Sequence, residues 1–263
     1  MTPSVPAPGD PPRPGAGAPP PADGATALPD HGPRAPWVTC LAPLVTYMVA
    51  GSFLPSAEGG GLAATLGIPW AAYPWAYALQ VAATLAAIGW CGRDLVRWLG
   101  RPTWWTALAG VALVVPWVIL ATLQRGSGWD LGFGAREGFD PFTAFGAGSA
   151  ATWPFLAVRA LGLVVAVPIA EELFVRGFLT RYVVNEEFWR VPFGTLSAVV
   201  LAAAAVYGVA THPPEALAAA VWFPAVSWIA SRTRQPIDCI LAHAGTNLAL
   251  GAYVLATGSW WLM

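Results

Sequence analysis

From Trp37 onward the chain is dominated by apolar runs, near residues 37–54, 72–92, 104–123, 153–183, 193–212, 214–231 and 236–257. A run of about 20 apolar residues is long enough to cross a bilayer as a helix. The pattern predicts an all-α, polytopic bundle of about seven transmembrane helices around a polar interior, with the first span short. Pro224 predicts a kink in the sixth span, because proline removes one backbone hydrogen bond. No internal repeat is evident. Residues 1–36 hold twelve Pro, with Gly and Ala filling most of the rest. Such a segment buries too little apolar surface to offset its ordering entropy, so a disordered tail is expected there, ahead of a membrane domain over 37–263. It lacks the basic-then-apolar order of a signal peptide.

Composition agrees. Of the 263 residues, 56% are hydrophobic and 10% are charged, and the mean hydropathy is +0.57. Soluble domains carry roughly 25% charged residues, so this chain has little water-facing surface to cover. Fifteen Trp and six Tyr suit a membrane–water interface. A net charge of −1 offers nothing to nucleic acid. Cys40, Cys91 and Cys239 lie in or beside apolar stretches, match no zinc spacing and imply no disulfide framework.

The charges between the runs predict an orientation. Arg93, Arg97 and Arg101 separate the second and third spans, Arg181 and Arg190 follow the fourth, and Arg232 and Arg234 follow the sixth. The loop at 55–71 and the turn at 213–215 have no basic residue, and the 124–152 loop sets Arg125 and Arg136 against three acids. By the positive-inside rule the N-terminus is cytoplasmic, in a multi-pass protein of the cell membrane.

Ionisable residues inside spans cost about 2.5 to 3.5 kcal/mol each on insertion scales, so each needs a reason. The fourth run contains Glu171-Glu172-Leu173-Phe174-Val175-Arg176. Glu172 and Arg176 are i,i+4 and able to pair, whereas Glu171 points about 100° away and lacks that partner. His212 ends the fifth run. Spans four and five fold back around Pro192, twenty residues from both Glu172 and His212, so the two lie at similar depth and make a plausible water-activating pair. The seventh run carries His243-Ala244-Gly245-Thr246-Asn247. A His and an amide on one helical face suit an oxyanion hole or a metal site. His243 lies about 10 Å above the turn at Pro236, lower than His212 should sit, which calls for a tilted or broken sixth span or a cavity extended along the membrane normal.

Glu171-Glu172-x-x-x-Arg176, His212 and His243-x-x-x-Asn247, in that order within membrane spans, resemble the CAAX-protease and bacteriocin-processing (Abi) family of intramembrane endopeptidases. The resemblance covers residues 150–257. Flanks such as Val167-Pro168 and Arg181-Tyr182 look like the CAAX prenyl protease-related branch associated with exosortase systems. The resemblance implies a helical bundle around a conical cavity, and cleavage near the C-terminus of a membrane-associated protein or peptide. Catalytic roles would fall on Glu171, Glu172, Arg176, His212, His243 and Asn247. Glu171 and His212 would activate water, His243 and Asn247 would stabilise the oxyanion, and Arg176 would hold Glu172. If a metal such as zinc is used, Glu171, His212 and His243 would ligate it. The family often has Phe four residues before the middle His; here that position is Gly208, with Tyr207 adjacent, and the aromatic is expected to shape the cavity. Other readings are a non-catalytic scaffold, a transporter relaying ions through the buried groups, and a cysteine protease using Cys239 and His243.

Overall fold

The computed structural model describes residues 35–129, 138–146 and 148–263. Nearly all of the expected tail, and Arg136 of the 124–152 loop, lie outside the described residues. Among the described residues there is no β-strand, and seven helices of 14 residues or more stand where the apolar runs stand. They are α1 Pro36–Gly51, α2 Tyr73–Trp98, α3 Trp104–Ser127, α4 Thr152–Tyr182, α5 Ala198–Thr211, α6 Ala216–Thr233 and α7 Pro236–Thr257. By length and composition α3, α4 and α7 can each cross a membrane, while α1 and α5 are apolar but shorter. The molecule is therefore an all-α membrane protein in which three of the seven helices meet the full requirement for a span.

Large apolar side chains remain on the outside. Along α3, Leu108, Val111, Val115 and Ile119 are all exposed, and their spacing of three or four residues forms one stripe. An apolar surface of this extent marks contact with lipid or partner rather than water.

The inner faces of α3 and α7 pack backbone to backbone. A Cβ on Gly110 would lie 1.9 Å from the carbonyl oxygen of Ala242, and one on Gly245 would lie 2.6 Å from that of Ala107. Small residues allow this approach, the usual means by which membrane helices gain packing without a hydrophobic driving force. Thr246 Oγ1 reaches the carbonyl oxygens of Gly110 at 2.7 Å and Ala242 at 3.0 Å. At one end of the contact, Asp238 is fully buried and accepts from Thr103 N and Thr103 Oγ1, both at 2.7 Å. The register of α7 on α3 is thereby set, and with it the position of His243 and Asn247.

Helix α4 is not uniform. Two π turns, Gly162–Ala166 and Leu173–Leu179, interrupt its α-helical hydrogen bonding. Helix α6 continues through Pro224 instead of ending there. One residue earlier, the Phe223 carbonyl accepts from Arg176 Nη2 at 2.6 Å and Ser227 Oγ at 3.1 Å. Neighbouring donors of this kind let a membrane helix tolerate proline.

Arg181 departs from its expected place as a loop charge. It is 1% exposed and donates to the carbonyls of Val191, Gly177 and Trp189 at 2.8, 3.2 and 3.1 Å. Its guanidinium organises the α4–α5 connection, because five fixed N–H donors can collect several loop carbonyls at once.

Candidate active site

Glu172 is the hub of a buried polar cluster. Its Oε1 accepts from Arg176 Nη1 and pairs with His243 Nδ1, both at 2.9 Å. Arg176 in turn donates to Phe223 O and lies over the Phe223 ring, 5.2 Å from its centroid. The pair expected from i,i+4 spacing forms, and α7 adds an imidazole that this spacing did not reveal. All three side chains are almost completely buried.

Glu171 is not left alone. Its Oε1 accepts from the Tyr207 hydroxyl of α5 at 2.9 Å, and its Oε2 lies 3.6 Å from His243 Nε2. His243 therefore stands between the two carboxylates with one ring nitrogen toward each. The Trp222 ring packs edge-on against it, 4.6 Å between centroids, and Trp222 Nε1 donates to Thr246 Oγ1 at 3.1 Å.

The residues between α4 and α5 add no helical rise, so equal spacing from Pro192 does not place Glu172 and His212 at equal depth. Helix α4 ends at Tyr182 and α5 begins at Ala198. Glu172 therefore stands only ten residues, roughly 15 Å, above the end of α4. His243 stands seven residues above Pro236, about 10 Å, so the two meet directly.

Glu171, His212, His243 and Asn247 all line one cavity of about 140 Å³. Glu172 and Arg176 sit behind that wall and do not line it. His212 presents Nδ1 to Thr211 Oγ1 at 2.9 Å and to the Gly208 carbonyl at 3.3 Å. The Thr211 hydroxyl donates to Tyr207 O at 2.9 Å, so Thr211 Oγ1 and Gly208 O both accept from Nδ1–H. In a neutral imidazole with its proton on Nδ1, Nε2 would be the basic nitrogen. Asn247 Nδ2 donates to Leu163 O at 2.8 Å, within the first π turn, where altered backbone bonding leaves carbonyls available. The amide carries a second N–H.

Three contributors were not legible as such. Tyr207, expected only to shape the cavity, bonds to Glu171. The space beside Gly208 is taken by the Phe223 ring, since a Cβ there would lie 2.4 Å from Phe223 Cδ2; the aromatic wall comes from α6. Gln124, 1% exposed on α3, donates to Pro213 O at 3.0 Å and accepts from Leu217 N at 2.9 Å. It holds the turn that follows His212. No local pattern marks Gln124 or Trp222, because their partners are about 90 and 24 residues away.

Zinc would need three protein ligands at about 2.0–2.2 Å. Among the described residues no three His, Cys, Asp or Glu side chains gather in that way, and both nitrogens of His243 are directed at carboxylates. Glu171, His212 and His243 share a cavity without forming a metal centre. Cys239 is fully buried and does not line the cavity.

Residues 152–249 match the family model described as type II CAAX prenyl endopeptidase Rce1-like. No curated protein and no solved structure matches the chain. The matched stretch opens at the first residue of α4 and holds both glutamates, Arg176, His212, His243 and Asn247. Over that stretch the chain is similar to the Rce1-like type II CAAX prenyl endopeptidases, and a hydrolase of the protease class, set in membrane-type helices, is what the match supports.

Proposed function

We propose that this protein is a multi-pass endopeptidase of the cell membrane, N-terminus in the cytoplasm, that cleaves near the C-terminus of a membrane-associated protein or peptide. The observation that carries the reading is the single cavity shared by Glu171, His212, His243 and Asn247, inside the segment that matches the family. Four polar groups scattered in apolar surroundings would each cost roughly 1–3 kcal/mol or more if unsatisfied; around shared water they satisfy one another.

In this mechanism a water in the cavity is oriented by His212 Nε2 and gives its proton to Glu171 as it attacks the scissile carbonyl. Tyr207 holds the Glu171 carboxylate toward the cavity. The oxyanion is met by the second N–H of Asn247 and by His243 Nε2–H. That donor role requires a proton on both ring nitrogens, and the two carboxylates that face the imidazole are placed to balance its charge. The proton on Glu171 then passes to the leaving amine.

The test compares the C-termini of membrane proteins in cells carrying the unmodified protein and Glu171→Gln. Loss of a defined set of new C-termini, with protein level and thermal unfolding unchanged, is expected. Purified protein should lose at least about 10²-fold in cleavage rate with this variant, the lower range for removal of a general base. Full cleavage by Glu171→Gln would overturn the assignment.

A further inference from the structure

A second cavity, of about 170 Å³, adjoins the first along α4. Leu163, Asn247 and Met263 belong to the walls of both. The new walls are apolar, from Leu156, Val164, Leu248 and Leu255 among others, with one charged residue, Arg159.

Arg159 is 4% exposed. Its Nη1 donates to the Tyr73 hydroxyl at 2.8 Å. Its guanidinium lies 5.3 Å from the Tyr77 ring centroid and 6.0 Å from that of Phe155. Among the described residues no carboxylate pairs with it, and its Nε has no hydrogen-bond partner. A cation held in aromatic walls, with donors to spare at the edge of an apolar cavity, has the chemistry of a carboxylate receptor, since guanidinium and carboxylate match through parallel N–H donors.

Arg159, Leu163, Val167 and Glu171 follow one another at four-residue intervals, so one stripe of α4 joins the guanidinium to the Glu171 carboxylate. Twelve residues of helix rise roughly 18 Å, which an extended peptide covers in about five residues. The cavity is close in size to the ~150 Å³ hole that accepts a benzene molecule, enough for one apolar side chain and too small for a diacyl lipid.

We propose that Arg159 and the apolar cavity beside it bind the C-terminal residue of the peptide substrate, with the guanidinium taking its α-carboxylate. The proposal rests on the reading of the chain as an endopeptidase. It makes Arg159 a specificity residue that restricts cleavage to sites within about five residues of a free C-terminus.

Binding and cleavage are measured separately on the full chain in nanodiscs. The probes are two lipidated decapeptides of one sequence, ending in a free carboxylate or a carboxamide. On the Glu171→Gln protein, which reads binding alone, the carboxylate peptide should bind at least about tenfold more tightly, a difference of about 1.4 kcal/mol. Adding Arg159→Gln should bring the two peptides within about twofold, and Arg159→Lys should retain part of the difference. Equal binding of the two peptides to protein with Arg159 intact overturns the proposal even if Arg159→Gln does not fold. An undiminished preference in folded Arg159→Gln overturns it as well. Stabilisation by phosphatidylglycerol that Arg159→Gln removes, with the peptides binding alike, assigns the guanidinium to a lipid headgroup and also overturns it. Carboxylate preference without cleavage by the unmodified protein sinks the endopeptidase reading and leaves the anion site standing. Cleavage of both peptides at equal rates does the reverse.

Discussion

Helix α4 buries three arginines, and two of them, Arg159 and Arg176, solve the same electrostatic problem in opposite ways. Arg176 has a carboxylate at 2.9 Å, a carbonyl at 2.6 Å and an imidazole on the far side of that carboxylate. Arg159 has a phenol at 2.8 Å and aromatic faces, with no carboxylate among the described residues. Cation–π contacts contribute about 0.5–2 kcal/mol each and leave the charge unneutralised. A neutralised arginine is structural: removing it exposes its partner. An arginine held only by rings retains its field and can act on something that enters. The same contrast separates the two glutamates, Glu172 closed in by Arg176 and His243 and Glu171 turned to a cavity.

Breaking the closed end should have the largest effect. Arg176→Ala leaves Glu172 buried without its cation and should destabilise the protein by about 3–5 kcal/mol, read as lost thermal unfolding temperature and lower membrane level. Glu172→Gln with Arg176→Met removes both charges, and should recover a good part of that loss; no recovery would mean that the pair is not what holds this end. Arg159→Ala, by comparison, should cost only about 1.5–3 kcal/mol, the loss of one charge-assisted hydrogen bond to Tyr73 and its ring contacts, with no buried carboxylate left unpaired.

Gly245→Val sharpens the comparison from the packing side. The added atoms meet the backbone of α3 at Ala107, and overpacking of this kind costs about 1–3 kcal/mol. Because α7 carries His243 and Asn247, cleavage should fall by more than stability alone explains. Unchanged activity at the measured stability would show that the α3–α7 contact does not position them.

The smallest effect on folding is expected from Tyr207→Phe, which removes one hydrogen bond to Glu171 and keeps the ring. A bond to a charged group contributes about 1.5–3 kcal/mol, so cleavage should slow by roughly tenfold to a hundredfold with little change in folding. A fall as deep as that of Glu171→Gln would make Tyr207 part of the proton chemistry itself.

How much was legible in advance differs by residue. The helices were, because a bilayer imposes length and apolarity locally: α3 and α7 start within a residue of the apolar runs that predict them. The Glu172–Arg176 pair was, because i,i+4 is a property of one helix. The partnership of His243 with both carboxylates was not. It depends on where α4 and α5 stop being helical and on a glycine-mediated crossing of α3 and α7, and neither follows from spacing along one chain segment. Arg181 misled for a similar reason: a cation beside a span reads as a loop charge until the loop folds back and presents its carbonyls.

By itself, then, the sequence determined that the protein is a bundle of apolar helices and which polar groups are carried into it, since both follow from transfer of short segments out of water. The tertiary structure alone decided which imidazole faces Glu171, which hydroxyl holds it, and that Arg159 stands beside an apolar cavity. Those are contacts between residues 36 to 86 positions apart, and their geometry exists only once the helices have been packed against one another.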